Sequence, residues 1–347
     1  MTTSAPVLAL TIGDPAGIGP EIALKAAAAV AGRIAAGEFA LALIGDATVL
    51  RDTAQSLGSP CPPIARSDDD LRGSVIVPMP APPDPVVTGL VSAQSGEQAY
   101  RAVEIATQMA MDGRAAAIVT GPLNKEALHL AGHPFAGHTE MLAMLTGVRD
   151  SVMMLAHGDF RVSHVTTHCA LEDVPRLATA ARIRRVVELT AQALRDLGLD
   201  RPRIAIAALN PHCGEGGIFG RHDIDVTEPL VRQLCAEGLT VTGPVPGDTV
   251  FVKLRGGAYD AVVAMYHDQG HIPVKLLGFA MNRETGRWTE LNGVNVTLGL
   301  PVIRTSVDHG TAFDIAGKGI ADATSLVEAI DYALQLARPL KGRAAAE

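Results

Sequence analysis

Aromatic residues are scarce in this 347-residue chain, at 3% of the total with a single tryptophan, Trp288. Since 48% of the chain is nonetheless hydrophobic, its cores must be built largely from aliphatic side chains and alanine. Positive charge is also in deficit: 29 Lys and Arg stand against 37 Asp and Glu, a formal net charge of −8. That balance argues against a nucleic acid or an anionic membrane as partner, because both attract a basic face. A small anion needs only a few local cations and is not excluded. The four cysteines, Cys61, Cys169, Cys213 and Cys235, form no C-x-x-C pair and read as reduced thiols of a cytoplasmic protein. No apolar run approaches the length of a membrane span, MTTSAPVLAL has neither the basic nor the long apolar part of a secretory signal, and no H-E-x-x-H occurs.

What the chain does have is glycine at telling places. VLALTIGDPAGIGPEIALKA opens with Gly13, Gly17 and Gly19 between an apolar run and a helical pattern. The dinucleotide fingerprint fails there, with Ile22 in the third glycine position, and the P-loop template fails at Ile18. What remains is a strand, a tight turn and a helix beginning near Pro20. Further apolar runs at 39–45, 74–79, 116–120, 203–209 and 260–266 read, with 6–12, as strands covered on both faces. Helical patterns alternate with them, which predicts an α/β fold with a parallel or mixed sheet. PMPAPPDPVVTG (78–89) reads as a surface linker.

All 11 histidines lie between His129 and His309. In open α/β folds sites form at the carboxyl ends of strands, and polar motifs follow several of the expected strands. His168 in TTHCAL, His212 in NPHCGEGG and His267 in YHDQGH supply three imidazoles that suit a divalent metal site with an open position. Each alone reads more readily as a hydrogen-bonded residue at a strand end; the three together bring the metal reading level with it. Lys275, Asn295 and Arg304 fit a phosphate or carboxylate grip, with Lys275 and Arg304 taken as strand-ending cations. His138 and Thr139, in GHTE, mark a helix start that either favours an anion or is capping chemistry. Lys125 in TGPLNKE is a proton relay, a substrate contact or a surface lysine. Asp268 is a carboxylate supporting His267 or a helix cap. Cys169 and Cys213 read as packing residues turned away from their neighbours by an extended backbone. DHGTAFDIAGKGIAD (308–322), a turn, a helical turn and a glycine close, could wrap a nucleotide or merely turn.

Taken together, GDPAGIGPE, TGPLNKE, GHTE, TTHCAL, NPHCGEGG, AMYHDQGHIPVK and GVNVTLGLPVIRTSVDHGTAFDIAGKG resemble the 4-hydroxythreonine-4-phosphate dehydrogenase family, in order over about residues 7 to 340. The resemblance implies a two-domain α/β/α fold like that of isocitrate and isopropylmalate dehydrogenases. One domain would hold 1–130 and 295–347, the other 131–294 with the metal ligands and dimer contacts. It implies a homodimer with the active site at the subunit interface, and a divalent metal (Zn, Co or Mg) on His168, His212 and His267, one of them from the opposite subunit. Substrate contacts fall on His138, Thr139, Lys275, Asn295 and Arg304, with catalytic roles for Lys125 and Asp268. NAD or NADP is expected against His309, Gly310, Asp314 and Gly317. The implied reaction is oxidation with decarboxylation of 4-phosphohydroxy-L-threonine to 3-amino-2-oxopropyl phosphate, a step of vitamin B6 synthesis. The alternative is a D-threonate or D-erythronate 4-phosphate dehydrogenase that yields dihydroxyacetone phosphate. A phosphometabolite binder and a phosphate acyltransferase stand further off. Residues 280–292 depart from the short members of the family and read as an added hairpin turning at ETGR.

Overall fold

The computed structural model describes residues 5–284 and 288–338. The chain divides into two compact units, Met1–Ser151 with Leu300–Ala337, and Val152–Gly299.

Five strands build the first unit: β1 (Val7–Thr11), β2 (Ala40–Gly45), β3 (Ser74–Pro78), β4 (Ala117–Thr120) and, from the far end of the chain, β13 (Arg304–Val307). Their order is β3-β2-β1-β4-β13, and every pairing is parallel. β2 and β4 are buried at every residue, so they carry no polar alternation. Capped helices cover the faces. Asp46 accepts from Thr48 N at 2.7 Å, Ser92 Oγ from Ser95 N, and Asn124 Oδ1 from Ala127 N, each satisfying an orphan donor of a first turn. Ala9, Ile44, Val103, Ile118, Leu128 and Met141 share one core, where full burial of a large aliphatic side chain contributes roughly 1.5–3 kcal/mol. The strand order reverses between β1 and β4, the place where open α/β sheets form ligand sites.

The second unit pairs β5 (Val152–His157), β6 (Phe160–His164), β7 (Ile204–Ala207), β8 (Val241–Val245), β9 (Ala261–Ala264) and β12 (Val294–Leu298) in the order β12-β5-β6-β9-β7-β8. β12, β5 and β6 run antiparallel to one another, whereas β6, β9, β7 and β8 are parallel. The carboxyl ends of three adjacent parallel strands, β6, β9 and β7, therefore lie at one edge. Leu155, Val162, Ala205, Val262 and Val274 form the core beneath. The added segment pairs as a hairpin: β10 (Phe279–Met281) runs antiparallel to β11 (Trp288–Leu291). The ETGR turn falls at 284–287, of which 285–287 lie outside the described residues.

Candidate active site

In the first unit the opening glycine loop occupies the reversal point. Asp14 N donates to Pro122 O at 2.8 Å. A Cβ on Gly13 would come within 2.1 Å of that same carbonyl, and Gly13 has φ +72°, so only glycine lets the loop after β1 meet the loop after β4. Behind it, Ile18 N donates to Thr311 O at 2.9 Å. The Glu21 carboxylate accepts from Gly319 N and Ala321 N, while Lys25 Nζ donates to the carbonyls of those two residues. The two glycine-rich stretches thus pack on each other. Residues 312–318 coil through successive turn bonds, Ile315 to Ala312, Ala316 to Phe313 and Lys318 to Ile315. Within this segment Gly310 and Asp314 are exposed, Gly317 has φ +73°, and His309 Nδ1 lies 3.0 Å from Gly310 O.

Asp14 is a residue the motifs alone do not single out. It is completely buried, accepts from Ala16 N at 2.9 Å and Ser95 Oγ at 3.3 Å, and has its pKa raised to about 6 by burial against those two bonds. The only sequence signal was its place between two glycines of the turn.

The helix His138–Thr146 starts at His138, with Thr139 in its first turn. His138 Nε2 is buried and makes no hydrogen bond among the described residues; burial and then the neighbouring Arg304 hold this imidazole neutral, well below its usual pKa. Arg304 stands opposite Ile118 at the start of β13, 2% exposed, and its Nη2 donates to Thr120 Oγ1 at 2.7 Å. Burial lowers its pKa to about 9, and Glu140 only partly offsets this. A desolvated guanidinium beside an imidazole nitrogen lacking a partner is a corner that an anion would complete. Lys125 is exposed at the start of the helix Lys125–Leu130.

In the second unit His168 follows β6, His267 follows β9 and His212 follows β7. The rings of His168 and His267 have centroids 5.9 Å apart. His267 Nδ1 and Asp268 Oδ1 are 2.7 Å apart; with the carboxylate accepting, the lone pair of the neutral ring is on Nε2. The His212 ring centre lies 6.2 Å from that of Phe219, and the residue is exposed. Among the described residues no group of three His, Cys, Asp or Glu is placed to hold a metal ion.

The His212 backbone differs from the extended one expected at 212–213. Residues 212–216 all have positive φ, and three of them, His212 at 51°, Cys213 at 55° and Glu215 at 43°, are not glycine. Such residues cost about 1–3 kcal/mol each. Asp223 anchors the entry to this turn, accepting from Leu209 N, Asn210 N and Asn210 Nδ2 within 2.9 Å. Cys213 Sγ donates to Pro244 O at 3.4 Å, and burial raises the thiol pKa. Cys169 is a half-buried free thiol. Lys275 does not end a strand. IPVKLLG lies in the helix His267–Gly278, and the Lys275 ammonium sits 5.3 Å from the Phe279 ring centre. Asn295 lies on β12 with Oδ1 buried and without a hydrogen-bond partner among the described residues.

Known proteins place the chain clearly. The family model described as pyridoxal phosphate biosynthetic protein PdxA matches residues 38–333. A relative from Bradyrhizobium diazoefficiens, named "Putative D-threonate 4-phosphate dehydrogenase", is 60% identical over 332 residues, covering 95% of this chain and 96% of its own. A 4-hydroxythreonine-4-phosphate dehydrogenase from Beijerinckia indica is 44% identical over 340 residues, covering 96% of this chain and 95% of its own. The solved 4-hydroxythreonine-4-phosphate dehydrogenase of Klebsiella pneumoniae is 43% identical with a TM-score of 0.81, over 96% of this chain and 100% of that one. The chain belongs to the PdxA family of dehydrogenases.

Proposed function

Taking that membership as premise, we propose that the protein oxidises a 4-phosphorylated four-carbon hydroxy acid at its 3-hydroxyl with NAD or NADP, and that the resulting β-keto acid loses carbon dioxide. The observation that carries the phosphate is the buried Arg304 beside the unpartnered Nε2 of His138. Arg304, His138, Thr139, Lys275 and Asn295 hold the substrate, so that binding energy gathered at the phosphate positions the reacting carbon. The orphaned Oδ1 of Asn295 is free to accept a hydroxyl or amine proton from it. Lys125 relays a proton.

His168 and His267 fit one divalent cation. Two imidazoles on a common ion have ring centres roughly 5 Å apart, given metal–nitrogen bonds of about 2 Å, close to the 5.9 Å found. His212, exposed on its strained turn, completes the set from a second copy of the chain. This makes the working enzyme a homodimer, and we place it in the cytoplasm. When bound, the cation supplies Lewis acidity toward the substrate hydroxyl, and the nicotinamide accepts the hydride. Asp268 fixes the His267 tautomer. His309, Gly310, Asp314 and Gly317 carry the nicotinamide cofactor on a stretch where Gly310 has open space around it.

Two substrates compete. The family motifs taken together lead to 4-phosphohydroxy-L-threonine, whereas ALHLAGHPF and HDQGHIPVKLLGF look closer to the D-threonate or D-erythronate 4-phosphate branch, and the 60% identical relative carries the name of a D-threonate 4-phosphate enzyme. The two differ by an amine against a hydroxyl at the neighbouring carbon. The test is NADH or NADPH formation with 4-phosphohydroxy-L-threonine, D-threonate 4-phosphate and D-erythronate 4-phosphate, each with and without added zinc, cobalt or magnesium. Metal-dependent turnover of the first is expected. Turnover confined to D-threonate 4-phosphate would transfer the assignment to the alternative, and tight binding of all three without any reduced nicotinamide would sink the dehydrogenase reading.

A further inference from the structure

Behind the His168–His267 pair stand two more imidazoles. His271 lies one turn further along the same helix, and its ring stacks on that of His267 with centroids 3.6 Å apart and planes 11° from parallel. His164, the last residue of β6, packs against His271 at 4.7 Å, inclined by 52°. Exposure falls inward along this row. The His267 side chain is 39% exposed, whereas His271 is 8% and His164 0% exposed.

The row is built closely. A Cβ on Gly270 would come within 2.3 Å of His164 Nε2, so the residue between the motif's two histidine turns has to be glycine for His164 to reach the stack. His271 Nδ1 lies 2.9 Å from the His267 carbonyl. A carbonyl only accepts, so Nδ1 carries the proton and donates it. That bond fixes the His271 ring plane against the helix, and the ring then bears on the full face of His267.

We infer that His271 is a positioning residue for His267: its stacked ring, backed by His164, holds the His267 imidazole in the orientation that presents it beside His168. This rests on the proposed cation site. Asp268 also touches His267, but its side chain is 71% exposed, so water competes for that bond and the buried stack does more of the holding. A planar side chain at position 271 is what the role demands, more than an imidazole as such. Groups that orient a ligand from behind typically control metal affinity by about 10–100-fold.

The test is cobalt titration of the full-length protein, followed by visible absorption and by competition with a chelator, on wild type, His271→Ala, His271→Phe and His267→Ala. His271→Ala is expected to bind cobalt about 10–100-fold more weakly than wild type, with an altered absorption envelope. His271→Phe keeps the stacked face and should stay within a few-fold of wild type. An unchanged affinity in His271→Ala overturns the inference, as does His271→Phe falling as far as His271→Ala while melting at the wild-type temperature. Cobalt binding that survives His267→Ala, or a wild type that binds none, overturns the cation site itself and the inference with it, so the two failures are distinguishable.

Discussion

The corner at His138 and Arg304 and the row at His168, His267, His271 and His164 solve opposite problems. The first buries a positive charge: Arg304 is 2% exposed, and its pKa is lowered to about 9 by desolvation. The second buries lone pairs. His164 and His271 are driven to pKa values of about 3 and about 4, by burial first and then by their imidazole neighbours. On the proposed function, one arrangement is completed by an anion and the other by a cation. In each, burial places polar groups where water no longer solvates them, which is how a site is organised ahead of its ligand. The difference lies in completeness. His138 and Arg304 belong to one unit of one chain, whereas on the proposed reading the imidazole row takes its third ligand, His212, from a second copy.

The sharpest way to break this comparison is His212→Ala. The residue is exposed and packs only loosely near Phe219, and replacement leaves the core untouched, so the melting temperature should not fall. Cobalt or zinc binding and metal-dependent turnover should both be lost. Mixing His212→Ala with an inactive His267→Ala protein should restore part of the activity, because a mixed dimer contains one site with all three imidazoles. Retained metal affinity in His212→Ala would show that the row is complete without it, and the contrast between the two regions would collapse.

Next in size is Arg304→Ala. Losing a buried charge-assisted contact should weaken phosphorylated substrates by roughly 2–4 kcal/mol, seen in kcat/KM, while cobalt affinity stays at the wild-type value. Equal losses in both measurements would mean that the two regions are not separate devices. Removing a buried cation also releases His138, whose pKa is depressed by burial and by Arg304. Its titration, followed by NMR, should therefore move upward in the variant.

How much of this was legible follows from where each signal resides. The six strands read from continuous apolar runs are all present, because a strand covered on both faces needs no polar residue. β5 and β6 escaped notice, since VMMLAH and FRVSH carry Met, His and Arg. Yet every residue of β6 is buried, with Arg161 compensated by Asp159 at 2.6 Å and His164 packed against the His271 ring. The helix at IPVKLLG was hidden by Pro273 and by branched residues, which suggest a strand. The three histidines after strand ends were visible as a pattern of topology. Their partnerships were not: the electrostatic influence of Arg304 on His138 joins a late strand to a helix start, and the His267–His271 stack has His164 packed behind it from another strand. Asp14 looked like one more turn residue, and only its complete burial distinguishes it.

Asp14 gives the smallest and cleanest test, because it asks whether the first unit stores its cost in buried charge. Its pKa is raised from 3.8 to about 6, so between those values the folded protein binds more protons than the unfolded one. Stability contributed by the protonated acid is fully present below pH 3.8 and is lost as pH rises through about 6. Asp14→Asn keeps an acceptor for Ala16 N and offers a donor to Ser95 while never ionising. It should raise stability at pH 8 by about 1–3 kcal/mol, since each tenfold change in proton affinity is worth about 1.4 kcal/mol, and it should flatten the wild-type decline between pH 4 and 6. Denaturant unfolding at pH 4, 5, 6 and 8 on both proteins measures this. A variant less stable than wild type at pH 8 would mean that the ionised carboxylate is favoured where it stands, held by the Ala16 and Ser95 bonds more strongly than burial opposes it. The first unit would then resemble the imidazole row, with its ionisable groups resting in their preferred state, and Arg304 alone would carry the contrast.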